Sequence, residues 1–200
     1  GLYIDAVCKG MDEMPATDPA LRERLIRTAE TEGLSPLLRQ LSELDPEYYA
    51  SVDRSNPQRV IRALEVCLQS GRSYSEIRSG TAKQRPFRII KLGIRYPREV
   101  LYERINRRVG LMVEAGLEQE ALGLYPLRHL NALQTVGYQE WFGFFDGLHS
   151  RGKAIELIQR NSRRYAKRQE TWFRRDEAIH WIEGGKQATD HVKKLLDKIL

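Results

Sequence analysis

Cysteine is scarce in this chain, with only Cys8 and Cys67 among 200 residues. The two stand far apart at no metal-ligand spacing, which excludes a disulfide framework and a cysteine-built metal site. Both are expected to be reduced core residues of a cytoplasmic protein. Long apolar runs are missing too. None approaches the roughly eighteen residues of a membrane span, so no membrane partner is expected. The first ten residues, GLYIDAVCKG, carry neither a basic leader nor a cleavage pattern, and no signal peptide is read there. The four histidines, His129, His149, His180 and His191, are scattered without ligand spacing. No G-x-x-x-x-G-K-[ST] string exists, Gly184-Gly185-Lys186 being too short, and no Ser or Cys nucleophile has a plausible base. By its own chemistry the chain holds no complete active site. It opens on Gly-Leu-Tyr rather than Met, as expected of a piece of a longer protein.

Positive charge is what the chain has in excess. Lys and Arg number 33 against 27 Asp and Glu, a formal net charge of +6. That balance suits a polyanion, but only its distribution can identify a surface. At 200 residues the chain can form one large domain or two small ones.

Turn chemistry and periodicity predict mostly helices. A short apolar helix over 2–8 ends at Gly10. Thr17 or Asp18 caps a helix over 19–32, with Pro19 at its first position. Further helices are expected at 35–44 and from Asp45-Pro46 to about 52. The segment RSNPQRVIRALEVCLQSG is the clearest helix: Asn56 caps it, Pro57 is its first residue and Gly71 follows it. Its apolar stripe is Val60, Ile61, Leu64, Cys67 and Leu68. A turn or two of helix follows at 73–77, then a loop, GTAKQRP. Ile89–Ile94 reads as a strand between prolines. A long helix over 97–124 presents Leu101, Ile105, Val109 and Met112 on one face, with Gly116 as a weak point. A loop at 126–133 precedes an aromatic helix at 137–146 and a long helix at 151–175. Residues 178–182 read as an edge strand, and 188–200 closes the chain helically. Two strands so far apart are expected to need partners outside the chain.

Three segments carry chemistry. On the helix at 57–70, Gln58, Arg59 and Arg62 lie off the apolar stripe. Two guanidinium forks and an amide there suit phosphates and base edges, although the same face also reads as a solvated one with a salt bridge to Glu65. On the helix at 151–175, Ala154, Ile155, Ile158, Tyr165 and Trp172 are the expected core face. Arg160, Arg163, Arg164, Lys167, Arg168, Arg174 and Arg175 crowd its other side, at a cost in stability unless an anion neutralises them. That anion could be RNA backbone, a diphosphate or an acidic lipid surface. In LQTVGYQEWFGFFDG, Gly137 suggests a tight turn opening a helix, where backbone amides could hold an anion or a base edge. An aromatic core helix explains it equally.

Taken together, these segments resemble one family along nearly the whole chain. The opening Gly-Leu-Tyr looks like the end of the Gly-Gly-Thr-Gly-Leu-Tyr motif of bacterial tRNA dimethylallyltransferases (tRNA isopentenylpyrophosphate transferases). DPALRERL, LDPEYYASVDRSNPQRVIRALEV, LQTVGYQEW and RRYAKRQETWFRR are similar to that family's signatures, in its order and spacing. The resemblance implies a mainly helical chain with a few short strands: part of a P-loop NTPase-like, nucleotide-binding α/β core plus a helical insertion. Residues 1–10 would be an edge of the core, 11–85 the tRNA-binding insertion and 86–200 the C-terminal part of the core.

The implied reaction moves a dimethylallyl group from dimethylallyl diphosphate to N6 of adenosine 37, in tRNAs reading codons that begin with U. The base is taken out of its stack into a channel. Magnesium is implied for the diphosphate, with ligands expected outside this chain, as are a cytoplasmic monomer and the tRNA anticodon stem-loop as partner. In the family, the phosphate loop and the aspartate base lie upstream of Gly-Leu-Tyr, so no catalytic residue is carried over, and the chain alone is expected to be inactive. The implied tRNA contacts are Arg22, Gln58, Arg59, Val60, Ile61, Arg62, Gln134, Thr135, Val136, Gly137, Tyr138 and Gln139. Arg164, Lys167 and Arg168 would meet the diphosphate or the tRNA backbone. Gln139-Glu140 stands where many relatives have Lys-Glu, so position 139 brings no charge. Beside this reading stand a self-standing RNA-binding helical module and a helical protein-interaction domain, the second of which leaves the basic helix unexplained.

Overall fold

The computed structural model describes residues 1–78, 80 and 83–199, and it divides into two compact units, Leu2–Arg88 and Ile89–Leu200 with Gly1. The expected loop at 80–86 and the last helix each run in part outside the described residues, at 81–82 and at 200. The first unit is helical: α1 (Leu2–Lys9), α2 (Pro19–Thr31), α3 (Ser35–Leu44), α4 (Pro46–Ser51), α5 (Pro57–Ser70) and α6 (Tyr74–Ile77). Asp18 caps α2, accepting from the amides of Ala20 and Leu21, and Asn56 caps α5 through the Arg59 amide. These bonds satisfy orphan amides of the first turn, and proline at the first positions of α2 and α5 has no amide to lose. Gly71 ends α5 at φ 66°, the left-handed conformation that favours glycine.

Leu21 and Leu25 of α2, Leu37 and Leu41 of α3, and Val60, Ile61 and Leu64 of α5 form the core of this unit. Leu68, assigned to the buried stripe of α5 by periodicity, is instead exposed. The stripe drifts off the core as the helix runs out past Cys67. Beneath the core, buried Asp45 caps α4 through the Tyr48 amide and accepts from both the amide and the hydroxyl of Ser75. Arg85 donates to the carbonyls of Ala6 and Val7, and the Lys83 amide donates to the carbonyl of Lys9. Residues 2–10 lie in this helical unit.

The second unit runs β1 (Lys91–Arg95), α7 (Arg98–Glu114), α8 (Leu117–Leu124), two short 3-10 turns at Tyr125–Leu127 and Asn131–Leu133, α9 (Tyr138–Phe145), α10 (Arg151–Phe173), β2 (Ile179–Glu183) and α11 (Ala188–Ile199). The single long helix expected at 97–124 is broken at Gly116, φ 100°, into α7 and α8. The two strands also depart from expectation: they pair with each other in parallel, with Lys91 opposite Ile179 and Arg95 opposite Glu183. Gly93 permits the pairing, because a Cβ there would lie 2.8 Å from the Trp181 ring and 2.9 Å from Ile179. Lys91 and Asp176 form an ion pair of 2.6 Å at the start of the ladder. The core is Val109, Leu117, Ala121, Trp141, Phe142, Ala154 and Ile158. Only the N-terminal half of α10 is anchored in it. Tyr165 and Trp172, expected on the core face, are 52% and 47% exposed.

Candidate nucleic-acid interface

On α5 the charged residues are organised around a carboxylate. Glu65 is completely buried and accepts from Nη1 of Arg22 at 3.3 and 3.4 Å and from Nη1 of Arg62 at 3.2 Å. Nη2 of Arg22 donates to Gln58 Oε1 at 3.3 Å, while Arg62 donates to the hydroxyl of Thr17 and the carbonyl of Pro15. Arg22, Gln58 and Arg62 are therefore one connected cluster, with the two arginines 36% and 30% exposed. The salt bridge to Glu65 expected of a solvated face is present for Arg62, but the Glu65 that receives it is buried. Arg59 points elsewhere: exposed, its side chain forms no ion pair among the described residues, although it helps hold the Asp53 carboxyl below its ordinary value after the hydrogen bonds from Ser55. Val60 and Ile61 are buried in the core, so those two positions present no side chain to a partner.

The segment at 134–139 is a built turn. Gly137 adopts φ 108° and ψ −59°, a conformation that L side chains rarely reach. Its amide donates at 2.7 Å to Glu140 Oε2, whose other oxygen accepts from Asn161 of α10 at 2.7 Å. The Gly137 amide, one of those that could hold an anion or a base edge, is thus already taken by a buried carboxylate. What the turn exposes is amide side chain: Gln139 donates to Gln134 at 2.9 Å, and Gln134 donates to the Arg128 carbonyl at 2.6 Å. Thr135 is exposed, Val136 half-buried, and Tyr138 stacks on Phe142 while its hydroxyl donates to Glu120. That hydrogen bond raises the Tyr138 hydroxyl above its ordinary value.

The basic residues of α10 separate into two groups. Arg163 is tied at 2.5 Å to Asn106 of α7, and Arg160 is half-buried with an Nε that has no hydrogen-bond partner among the described residues. Arg164, Lys167 and Arg168 are exposed. Lys167 lines two cavities. One, of about 290 Å³, is bounded by Lys167, Arg168, Thr171, Trp172 and Arg175, three cations with no carboxylate. The other, of about 420 Å³, lies at the carboxyl end of β1 between Arg95, Tyr96, Arg98, Tyr102, Lys167, Glu170, Arg174 and Glu183. There Arg174 is already neutralised by Glu170 at 2.5 Å. The smaller cavity is the better seat for a compact, highly charged anion.

For the implied magnesium the described residues offer no group of three His, Cys, Asp or Glu side chains that could hold a metal ion. They do not fit the ion. No helix among the described residues is long and apolar enough to cross a membrane. Sequence reasoning missed Glu140, Asn161 and Asn106, and gave Glu65 only a surface role. Glu65 carries a signal in hindsight: it lies between Leu64 and Val66 on the buried side of α5, where a charge needs partners.

The class is that of a mainly helical α/β chain with clustered arginines on one unit and, among the described residues, a cleft lined by three cations and no carboxylate on the other. Comparison with known proteins narrows the class. The model of the IPP transferase family matches residues 1–176, and the chain belongs to that family. It is 55% identical over 181 residues to tRNA dimethylallyltransferase 2 of Porphyromonas gingivalis, covering 90% of this chain and 60% of the relative. To tRNA dimethylallyltransferase 1 of Phocaeicola vulgatus it is 50% identical, covering 93% and 62%. The chain thus spans about three-fifths of these curated relatives. Among solved structures, the full-length tRNA isopentenylpyrophosphate transferase of Bacillus halodurans matches with TM-score 0.60 at 34% identity, over 100% of this chain and 63% of that one. A eukaryotic dimethylallyltransferase acting on tRNA matches with TM-score 0.76 at 20% identity, over 98% and 53%, a likeness of fold. The expected fold class, part of a P-loop-like α/β core with extensive helix, agrees with these neighbours.

Proposed function

We propose that this chain is the tRNA-grasping portion of a tRNA dimethylallyltransferase, working on the anticodon stem-loop in the cytoplasm as a monomer. The observation that carries the reading is the Arg22–Gln58–Arg62 cluster on buried Glu65, a cationic surface built into a core rather than scattered over a face. Guanidinium forks held this way meet phosphate oxygens with little rotamer entropy left to lose. Exposed Gln134, Thr135 and Gln139 add donors and acceptors of the kind that read base edges.

In the whole enzyme the N6 amine of adenosine 37, in tRNAs reading codons that begin with U, attacks the allylic carbon of dimethylallyl diphosphate. A C–N bond forms, the C–O bond to diphosphate breaks with its electron pair, and the amine gives up a proton. Charge grows on the departing diphosphate, and cations placed there before the reaction stabilise it. Lys167, Arg168 and Arg175 around the smaller cavity are the residues of this chain suited to that task. Arg164, exposed one turn earlier, serves the tRNA backbone.

Binding of an unmodified anticodon stem-loop across a salt series tests the reading. With four to six phosphates met, log affinity against log salt slopes at about −3 to −5, from roughly −0.7 to −0.9 per contact. A flat response would sink it.

A further inference from the structure

Three acidic side chains are buried among the described residues: Asp45, Glu65 and Glu140. Asp45 caps α4 and holds Ser75, and Glu140 holds the Gly137 amide and Asn161. Both are tied into the backbone and serve the fold. Glu65 differs. Among the described residues its hydrogen bonds come only from Arg22 and Arg62, two side chains on different helices whose outer parts face solvent. A buried carboxylate needs such partners, and two arginines of different helices need a common anchor to stay side by side without repelling each other. Of five N–H donors on each guanidinium, the inward ones are engaged with Glu65, Gln58, Thr17 and the Pro15 carbonyl, which leaves Nε–H and one Nη2 hydrogen of each fork uncommitted among the described residues.

We propose that Glu65 is a positioning residue for RNA, holding Arg22 and Arg62 as a two-fork clamp on neighbouring phosphates of the tRNA backbone. The inference rests on the tRNA-binding reading above and assigns its geometry to a residue that never touches the RNA. It also predicts a sign opposite to that of simple electrostatics. Removing the Glu65 charge raises the formal net charge from +6 to +7, which by Coulomb attraction alone tightens RNA binding. If Glu65 positions the clamp, the same change loosens binding, because two freed arginines lose their shared orientation.

The test compares the chain with Glu65→Gln, with Arg22→Ala/Arg62→Ala, and with the triple variant, using an unmodified anticodon stem-loop as probe. Circular dichroism and thermal melts establish that each is folded at the binding temperature. Should Glu65→Gln fail to fold, Glu65→Met keeps the volume without a buried polar group. The expected result is a loss of about ten- to a hundred-fold in affinity for Glu65→Gln. Its salt slope becomes shallower by about 1.4 to 1.8, the value of two contacts. The triple variant binds no more weakly than the arginine pair, since the effect of Glu65 passes through them. Unchanged or tighter binding by folded Glu65→Gln overturns the proposal, as does a triple variant in which the two losses add. If the original chain binds without salt sensitivity, the tRNA reading itself falls. If it binds with salt sensitivity and the arginine pair changes nothing, only the clamp falls.

Discussion

Leu64 and Arg62 sit two positions apart on α5 and answer to different physics. Leu64 is fully enclosed in the helical core, so Leu64→Ala leaves a cavity and costs about 2–5 kcal/mol. Arg62 is partly exposed, but it is one of the two partners of a buried charge. Arg62→Ala therefore costs about 1–3 kcal/mol through an under-satisfied carboxylate, rather than nothing. Arg59, whose guanidinium is free of ion pairs among the described residues, changes stability by no more than about 0.5 kcal/mol when replaced by Ala. Chemical denaturation of the three variants checks the order Leu64, Arg62, Arg59. Equal midpoints for the two arginine variants would show that the Arg62–Glu65 contact contributes no stability. Periodicity places both arginines off the apolar stripe, and that much was legible. It cannot show that Glu65, on the same helix, turns inward and takes Arg62 and a residue of α2 with it, because that contact is tertiary.

At the scale of elements, helix boundaries were readable wherever a cap and a proline announced them, as at Asp18-Pro19 and Asn56-Pro57. The parallel pairing of β1 with β2 was not, because their contact is made across four intervening helices and leaves no local mark beyond Gly93. The entry to α9 shows what local chemistry adds. Gly137→Ala forces an L side chain into φ 108°, ψ −59°, at a cost of about 1–3 kcal/mol, although open space surrounds the site. A melting temperature unchanged in that variant would contradict the strain. One residue on, the Tyr138 hydroxyl donates to Glu120 and its pKa is raised. A raised folded pKa means that this bond stabilises fully below the ordinary tyrosine value, near 10, and is lost as pH climbs through the folded value. The melting temperature of Tyr138→Phe should therefore lie below that of the parent at pH 8, and the gap should narrow as pH rises past the ordinary tyrosine value. No gap at pH 8 would mean that Tyr138 acts by packing on Phe142 alone.

At the scale of the whole molecule, cations outnumber carboxylates and the described residues hold no group of metal donors, and this asymmetry yields the last prediction. Arg22 with Arg62, and Lys167 with Arg168 and Arg175, supply positive surfaces on the two units. Binding a polyanion needs little else. Prenyl transfer needs more: a group to take the amine proton, and charge concentrated on the leaving diphosphate beyond what exposed lysine and arginine provide in water. The described residues present no cluster of metal donors, and the sequence contains no phosphate-binding loop. The chain, incubated with dimethylallyl diphosphate, magnesium and unmodified tRNA, should therefore retain the RNA and modify none of it. Mass spectrometry of nucleosides from the recovered tRNA reads the outcome, with filter binding on the same samples as the control for capture. Prenylated adenosine above background would place the chemistry within these 200 residues, and the cationic cleft at Lys167 would be the first place to seek it. Bound but unmodified tRNA would separate holding the substrate from transforming it, the division of labour that the arrangement of charge predicts.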